Sequence, residues 1–130
     1  MNNPGPPAAS LNMPRIDYVL DSAPETGEVQ DIAPGIKWLR LPLPFLLNHI
    51  NVWLLRDGDG WALVDTGIFT NTTREVWDFV LEHHLQGAPI TRVLVTHLHP
   101  DHVGCAGWMT GKFDVDLWMS REEYLLCRVL

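Results

Sequence analysis

Apolar and polar positions alternate along Ile36-Lys37-Trp38-Leu39-Arg40-Leu41, the period of a strand with one buried face. Pro42 and Pro44 then stop the ladder, because proline has no N–H to donate to it. The loop from Leu43 to His49 is unusually apolar, so it packs down or flanks a ligand site. A second strand is expected over Ile50–Arg56. Asp57-Gly58-Asp59-Gly60 reads as a hairpin turn, and Trp61–Asp65 as a third strand, ended by Thr66-Gly67.

The period then changes. Val76, Trp77, Val80, Leu81, His84 and Leu85 recur at helical spacing. Thr72 and Glu75 fit a capping box that would open this helix, and Gly87 and Pro89 would close it. Thr91–Thr96 is a β-branched run expected as a buried strand after a crossover helix. A loop and second helix over about 97–112 should follow, then a strand from Asp114 to Met119. A third helix should open at the capping box Ser120-Arg121-Glu122-Glu123. Strands alternating with helices make this an α/β chain.

The first 35 residues differ in kind. Six of the ten prolines lie there, with five acids and one base. Residues 1–35 are therefore expected to be a flexible Pro-rich tail and an extended or irregular lead-in, ended by a turn at Pro34-Gly35. The ordered domain is expected over 36–130.

Composition narrows the class of function. Of 130 residues, 46% are hydrophobic and 19% charged, enough apolar material for a modest core, and the net charge is −7. No two basic residues are adjacent, so no phosphate-neutralising patch for nucleic acid is indicated. No run reaches the ~18 apolar residues of a membrane helix, and Met1–Arg15 lacks the pattern of a secretory signal. A cytoplasmic protein is expected, with Cys105 and Cys127 as small buried residues rather than a disulfide framework.

Chemistry concentrates in Thr96-His97-Leu98-His99-Pro100-Asp101-His102. Imidazole nitrogens are good ligands for zinc and iron. His97 and His99 project to one side of an extended stretch. Pro100 then bends the chain, so that Asp101 and His102 approach the same space from another direction. That donor set suits two adjacent metal ions. Asp101 is also placed to orient a water or act as a base. The run follows a buried strand and precedes a helix, where sites gather in open α/β sheets. The alternative is a polar surface loop whose histidines cluster.

His97-Leu98-His99-Pro100-Asp101-His102 resembles the HxHxDH signature of the metallo-β-lactamase superfamily, and Asp65-Thr66-Gly67 resembles its upstream DTG-type element. Over residues 36–130 the order of elements looks like the N-terminal half of that αββα fold, closest to glyoxalase II-like members. The resemblance implies that His97 and His99 bind a first metal, and that Asp101 and His102 bind a second. Asp65 would lie beneath as a residue holding the ligand loop. Two zinc ions are implied, with iron or manganese as alternatives. The implied reaction is attack of metal-bound hydroxide on an ester, thioester or lactone of a small molecule. An iron-dependent oxidoreductase of the sulfur dioxygenase or flavodiiron type is the first rival, and an inactive truncated product the second. The family's remaining ligands would lie downstream of this chain, which has no histidine after His102. The expectation is therefore of a truncated half-domain.

Outside the loop, His49 is expected as an exposed loop residue and His83 and His84 as structural residues of the first helix. Cys105 and Trp108 are expected in packing. Gly104 and Gly107 would let the second helix approach the sheet.

Overall fold

The computed structural model describes residues 17–130. Its framework is one mixed sheet of six strands, in the spatial order β1-β2-β3-β4-β5-β6. The strands are β1 (Val29–Ala33), β2 (Ile36–Pro42), β3 (His49–Asp57), β4 (Gly60–Val64), β5 (Ile90–Leu94) and β6 (Leu117–Trp118). The first four are antiparallel neighbours, while β5 and β6 add in parallel. Helices α1 (Asn71–His83), α2 (Pro100–Val103), α3 (Ala106–Phe113) and α4 (Arg121–Val129) complete the chain.

The alternation read from the sequence sorts the two faces. Leu39 and Leu41 of β2, Val52 and Leu54 of β3, Leu63 of β4 and Val93 of β5 are fully buried. Trp77 and Val80 from α1 and Met109 from α3 join them in one cluster. Burying such side chains contributes about 1.5–3 kcal/mol each. On the opposite face Trp38 stacks on Trp53, ring centroids 5.9 Å apart, and its indole N–H donates to Asn51 Oδ1 at 2.9 Å. The expected α/β class is what the molecule shows. Among the described residues no helix is long and apolar enough to cross a membrane.

Local differences from the sequence reading have local causes. The lead-in is more regular than expected: Val29–Ala33 forms an edge strand, with Val29 opposite Leu39 and a Lys37–Asp31 ion pair at 2.7 Å. The N-terminal tail up to residue 16 lies outside the described residues. Helix α1 starts two residues earlier than the Thr72–Glu75 box implied. Its N-cap is Thr70, extended at φ −128° and ψ 164°, whose Oγ1 accepts the Thr73 N–H at 3.1 Å. The second helix is split, because Cys105 N–H donates to Gly67 O (3.0 Å) and not to the preceding turn. The expected strand 114–119 shrinks to Leu117–Trp118, since Asp114 takes a left-handed conformation as the C-cap of α3. The Ser120 cap is where the sequence placed it, accepting Glu123 N–H.

Candidate metal centre

The parallel strands β4 and β5 end side by side, and the chain leaves both at the same edge. Asp65-Thr66-Gly67 follows β4; Thr96–His102 follows β5 by one residue. The first segment turns sharply. Asp65 has φ +63° and Gly67 φ +85°, a region that L side chains avoid but that Asp tolerates better than most. Strain held at such a place needs firm surroundings, and these are present. Asp65 N–H donates to Leu94 O at 2.8 Å. The Trp77 indole N–H donates to Thr66 O at 2.7 Å from inside the core.

This elbow grips the histidine loop. Thr66 donates twice to His102 O, through N–H at 2.9 Å and through Oγ1 at 2.8 Å. Gly104 completes the grip by having no side chain. A Cβ there would stand 2.7 Å from Phe69 N and 2.8 Å from Gly67 O. Gly104 therefore serves a close approach, but to the elbow rather than to the sheet. The same expectation fails for Gly107, which is exposed and faces open space.

Asp65 then sets the imidazoles. The residue is 5% exposed. Oδ1 accepts Thr96 N–H at 2.8 Å, and Oδ2 accepts His102 Nδ1–H at 2.8 Å. The Thr96 hydroxyl lies 2.9 Å from Oδ2 and 2.9 Å from His97 Nδ1. A hydroxyl has one proton. An ionised carboxylate only accepts, so that proton goes to Asp65, and Thr96 Oγ1 accepts from His97 Nδ1–H. Asp65 thus holds His102 directly and His97 through Thr96, both protonated at Nδ1. The lone pair of each ring is left on Nε2. Engaging the far nitrogen in this way is how ligand imidazoles are oriented.

The free nitrogens converge in pairs. His97 Nε2 is 2.9 Å from His99 Nδ1, and the His97 and His102 ring centroids are 4.0 Å apart. His102 Nε2 is 3.5 Å from Asp101 Oδ2. Of the four residues expected as ligands, His97 and His99 lie on the loop after β5 and Asp101 and His102 on the short helix α2 that follows it, with Asp65 beneath. Among the described residues, however, no three His, Cys, Asp or Glu side chains stand arranged to hold a metal ion. The loop offers pairs. Two imidazole nitrogens bound to one zinc ion at about 2.0–2.1 Å each stand roughly 3 Å apart, so the His97–His99 pair fits a shared cation. Without one, the same contact is a hydrogen bond donated by His99 Nδ1–H.

Other histidines lie elsewhere. His83 and His84 make their ring contacts with Phe79 within the α1 segment. His49 is half-buried at the start of β3, against Arg40 and Asn48. Burial, then the Arg40 charge, holds its pKa below the usual histidine value. Cys105 is fully buried and its thiol donates to Ile68 O at 3.4 Å, as packing requires. Trp108 is half-buried against the core. Sequence named Thr66, Thr96 and Glu123 only as members of the DTG-type element, the histidine run and a capping box, and gave none of them a role at the site. Thr96 had a signal, its place directly before His97.

A mixed sheet that presents an Asp-held histidine loop at its strand ends defines an α/β protein with its polar side chains gathered at that edge. A model of the metallo-beta-lactamase superfamily matches residues 47–128, and the chain belongs to that superfamily. The structure of a beta-lactamase domain protein from Burkholderia ambifaria is 47% identical, with a TM-score of 0.79, over 84% of this chain and 35% of that one. The metallo-beta-lactamase family protein TTHA1429 from Thermus thermophilus is 31% identical, with a TM-score of 0.64, over 72% of this chain and 31% of that one. Probable metallo-hydrolase YybB of Bacillus subtilis (strain 168) is 30% identical over 74 residues, which are 57% of this chain and 31% of that protein. The chain therefore spans about a third of the length of these relatives.

Proposed function

We propose that this chain carries the first ligands of a zinc-dependent hydrolase acting on a small acyl substrate. The observation that carries the reading is the contact of Asp65 with His102 Nδ1 and, through Thr96, with His97 Nδ1, an arrangement that would leave both Nε2 atoms as lone-pair donors on one short stretch of chain. His97 Nε2 and His99 Nδ1 would hold one ion; Asp101 and His102 Nε2 would contribute to a second. Among the described residues no third side chain joins either pair. Zinc, when bound, lowers the pKa of a coordinated water to near 7. Asp101, half-buried beside His102, orients the attacking water or takes its proton. Esters, thioesters and lactones are the substrate class, thioesters first, on the resemblance to glyoxalase II-like members. The name of the Bacillus relative, a metallo-hydrolase, supports hydrolysis over the iron-dependent oxidoreductase alternative.

Elemental analysis of the chain beside a His97→Ala/His99→Ala variant tests this. Near-stoichiometric zinc, lost in the variant, is expected. Iron in place of zinc would turn the reading to the oxidoreductase, and a folded wild type with no metal would overturn it.

A further inference from the structure

Leu98 lies between His97 and His99, and its N–H donates to Glu123 Oε2 at 2.7 Å. Glu123 belongs to α4, a different element from the loop and its elbow. In a helix capped by Ser, a Glu three residues on ordinarily turns back to the N–H of the cap. Here the Ser half of that box is made, with Glu123 N–H donating to Ser120 Oγ at 3.2 Å. The carboxylate is turned to the metal loop instead. The positive end of α4 favours a charged carboxylate in its first turn, and a backbone N–H donates to such a carboxylate in a charge-assisted bond.

The placement matters because of where the other anchors are. Asp65 holds Thr96 and His102, and the elbow holds the His102 carbonyl and Cys105. The stretch that carries both nitrogens of the first pair lies between these anchors. Strand β6 brings α4 to it, since Val95 N–H donates to Trp118 O at 2.9 Å, two residues before the Ser120 cap. We infer that Glu123 is a positioning residue for the His97–His99 pair: by accepting the Leu98 N–H it holds the backbone between the two imidazoles and keeps both on one side of it. The inference rests on the metal-centre reading above.

The test compares Glu123→Ala and Glu123→Gln in the 130-residue chain. Zinc affinity is read by competition with a chelating dye, and the Leu98 amide by hydrogen exchange in the metal-free chain. Glu123→Ala should weaken zinc binding about 10-fold or more, the range seen when an outer partner of a ligand is removed, and should speed exchange at Leu98. Glu123→Gln, whose amide oxygen still accepts the N–H, should restore both. Zinc binding by Glu123→Ala equal to wild type overturns the inference. So does Glu123→Gln failing like Glu123→Ala, which would leave bare charge as the cause. Wild type that binds no zinc sinks the metal reading alone. In that case unchanged Leu98 exchange in Glu123→Ala still overturns the anchoring, and faster exchange upholds it.

Discussion

Asp65 and His102, distant in sequence, meet through Oδ2 and Nδ1 at 2.8 Å, and this contact decides which nitrogen of His102 keeps its lone pair. The same carboxylate takes the Thr96 N–H and hydroxyl. One buried anion therefore serves three donors, all of them on the residues that begin and end the histidine loop. A carboxylate can do this because it accepts at both oxygens and donates at neither.

That requirement makes Asp65→Asn a sharper probe than its small change in shape suggests. An amide has one accepting oxygen, so its NH2 must face Thr96 or His102 and leave a donor unmatched. Stability should fall by about 2 kcal/mol, the cost of a lost hydrogen bond to a buried charge. Asp65→Ala should fall further, by about 4 kcal/mol, as all partners are stranded and alanine must also adopt φ +63°. Chemical denaturation of the three proteins checks the order. Equal stability of wild type and Asp65→Asn would mean that the carboxylate is not the organising acceptor.

Two glycines on neighbouring turns should respond in opposite directions. A Cβ at Gly104 would lie 2.4 Å from Pro100 O and within 3 Å of two elbow atoms, all of them backbone. Nothing there can rotate away. Gly104→Ala should destabilise by about 3 kcal/mol as the loop is forced off the elbow. Gly107 is helical with open space around its Cβ position, and Gly107→Ala should stabilise by about 0.5–1 kcal/mol through helix propensity. Thermal unfolding of both variants settles the contrast, which fails if the two shift alike.

Legibility followed the strength of local signals. β2 and β3 were readable because half-buried strands alternate, β4 because a short apolar run follows a glycine turn, and Ser120 because a cap and its amide are local. Strand β1 was not: Val29-Gln30-Asp31-Ile32-Ala33 has little pattern, and its order comes from pairing with β2. The start of α1 was ambiguous because three threonines compete, and the burial of Thr73 against Thr70 decides it. The loop's residue types pointed to metal chemistry, and its order after a strand pointed to the sheet edge. What no spacing contains is a bond between distant segments. Asp65 to Thr96 and Glu123 to Leu98 depend on β4, β5 and β6 being neighbours.

Cysteine chemistry gives a test of the core beneath the loop. Burial pushes the Cys105 thiol up from 9.0 to about 11, with Arg74 opposing weakly. Thiolates, not thiols, are alkylated, so Cys105 should resist iodoacetamide at about pH 8 while half-buried Cys127 reacts. Mass spectrometry of the native and the unfolded chain would show Cys105 labelled only in the latter. The raised value also sets a direction for stability. The unfolded thiol ionises near pH 9, before the folded one, so the unfolded state sheds its proton first as pH rises. The contribution of Cys105 is then fully present below pH 9 and is lost between about 9 and 11. Cys105→Ala should be less stable than wild type at about pH 8, with a gap that narrows as pH climbs through this window. Denaturation midpoints at about pH 8 and pH 10 measure that gap, and one that stays constant would mean the thiol is hydrated in the folded chain.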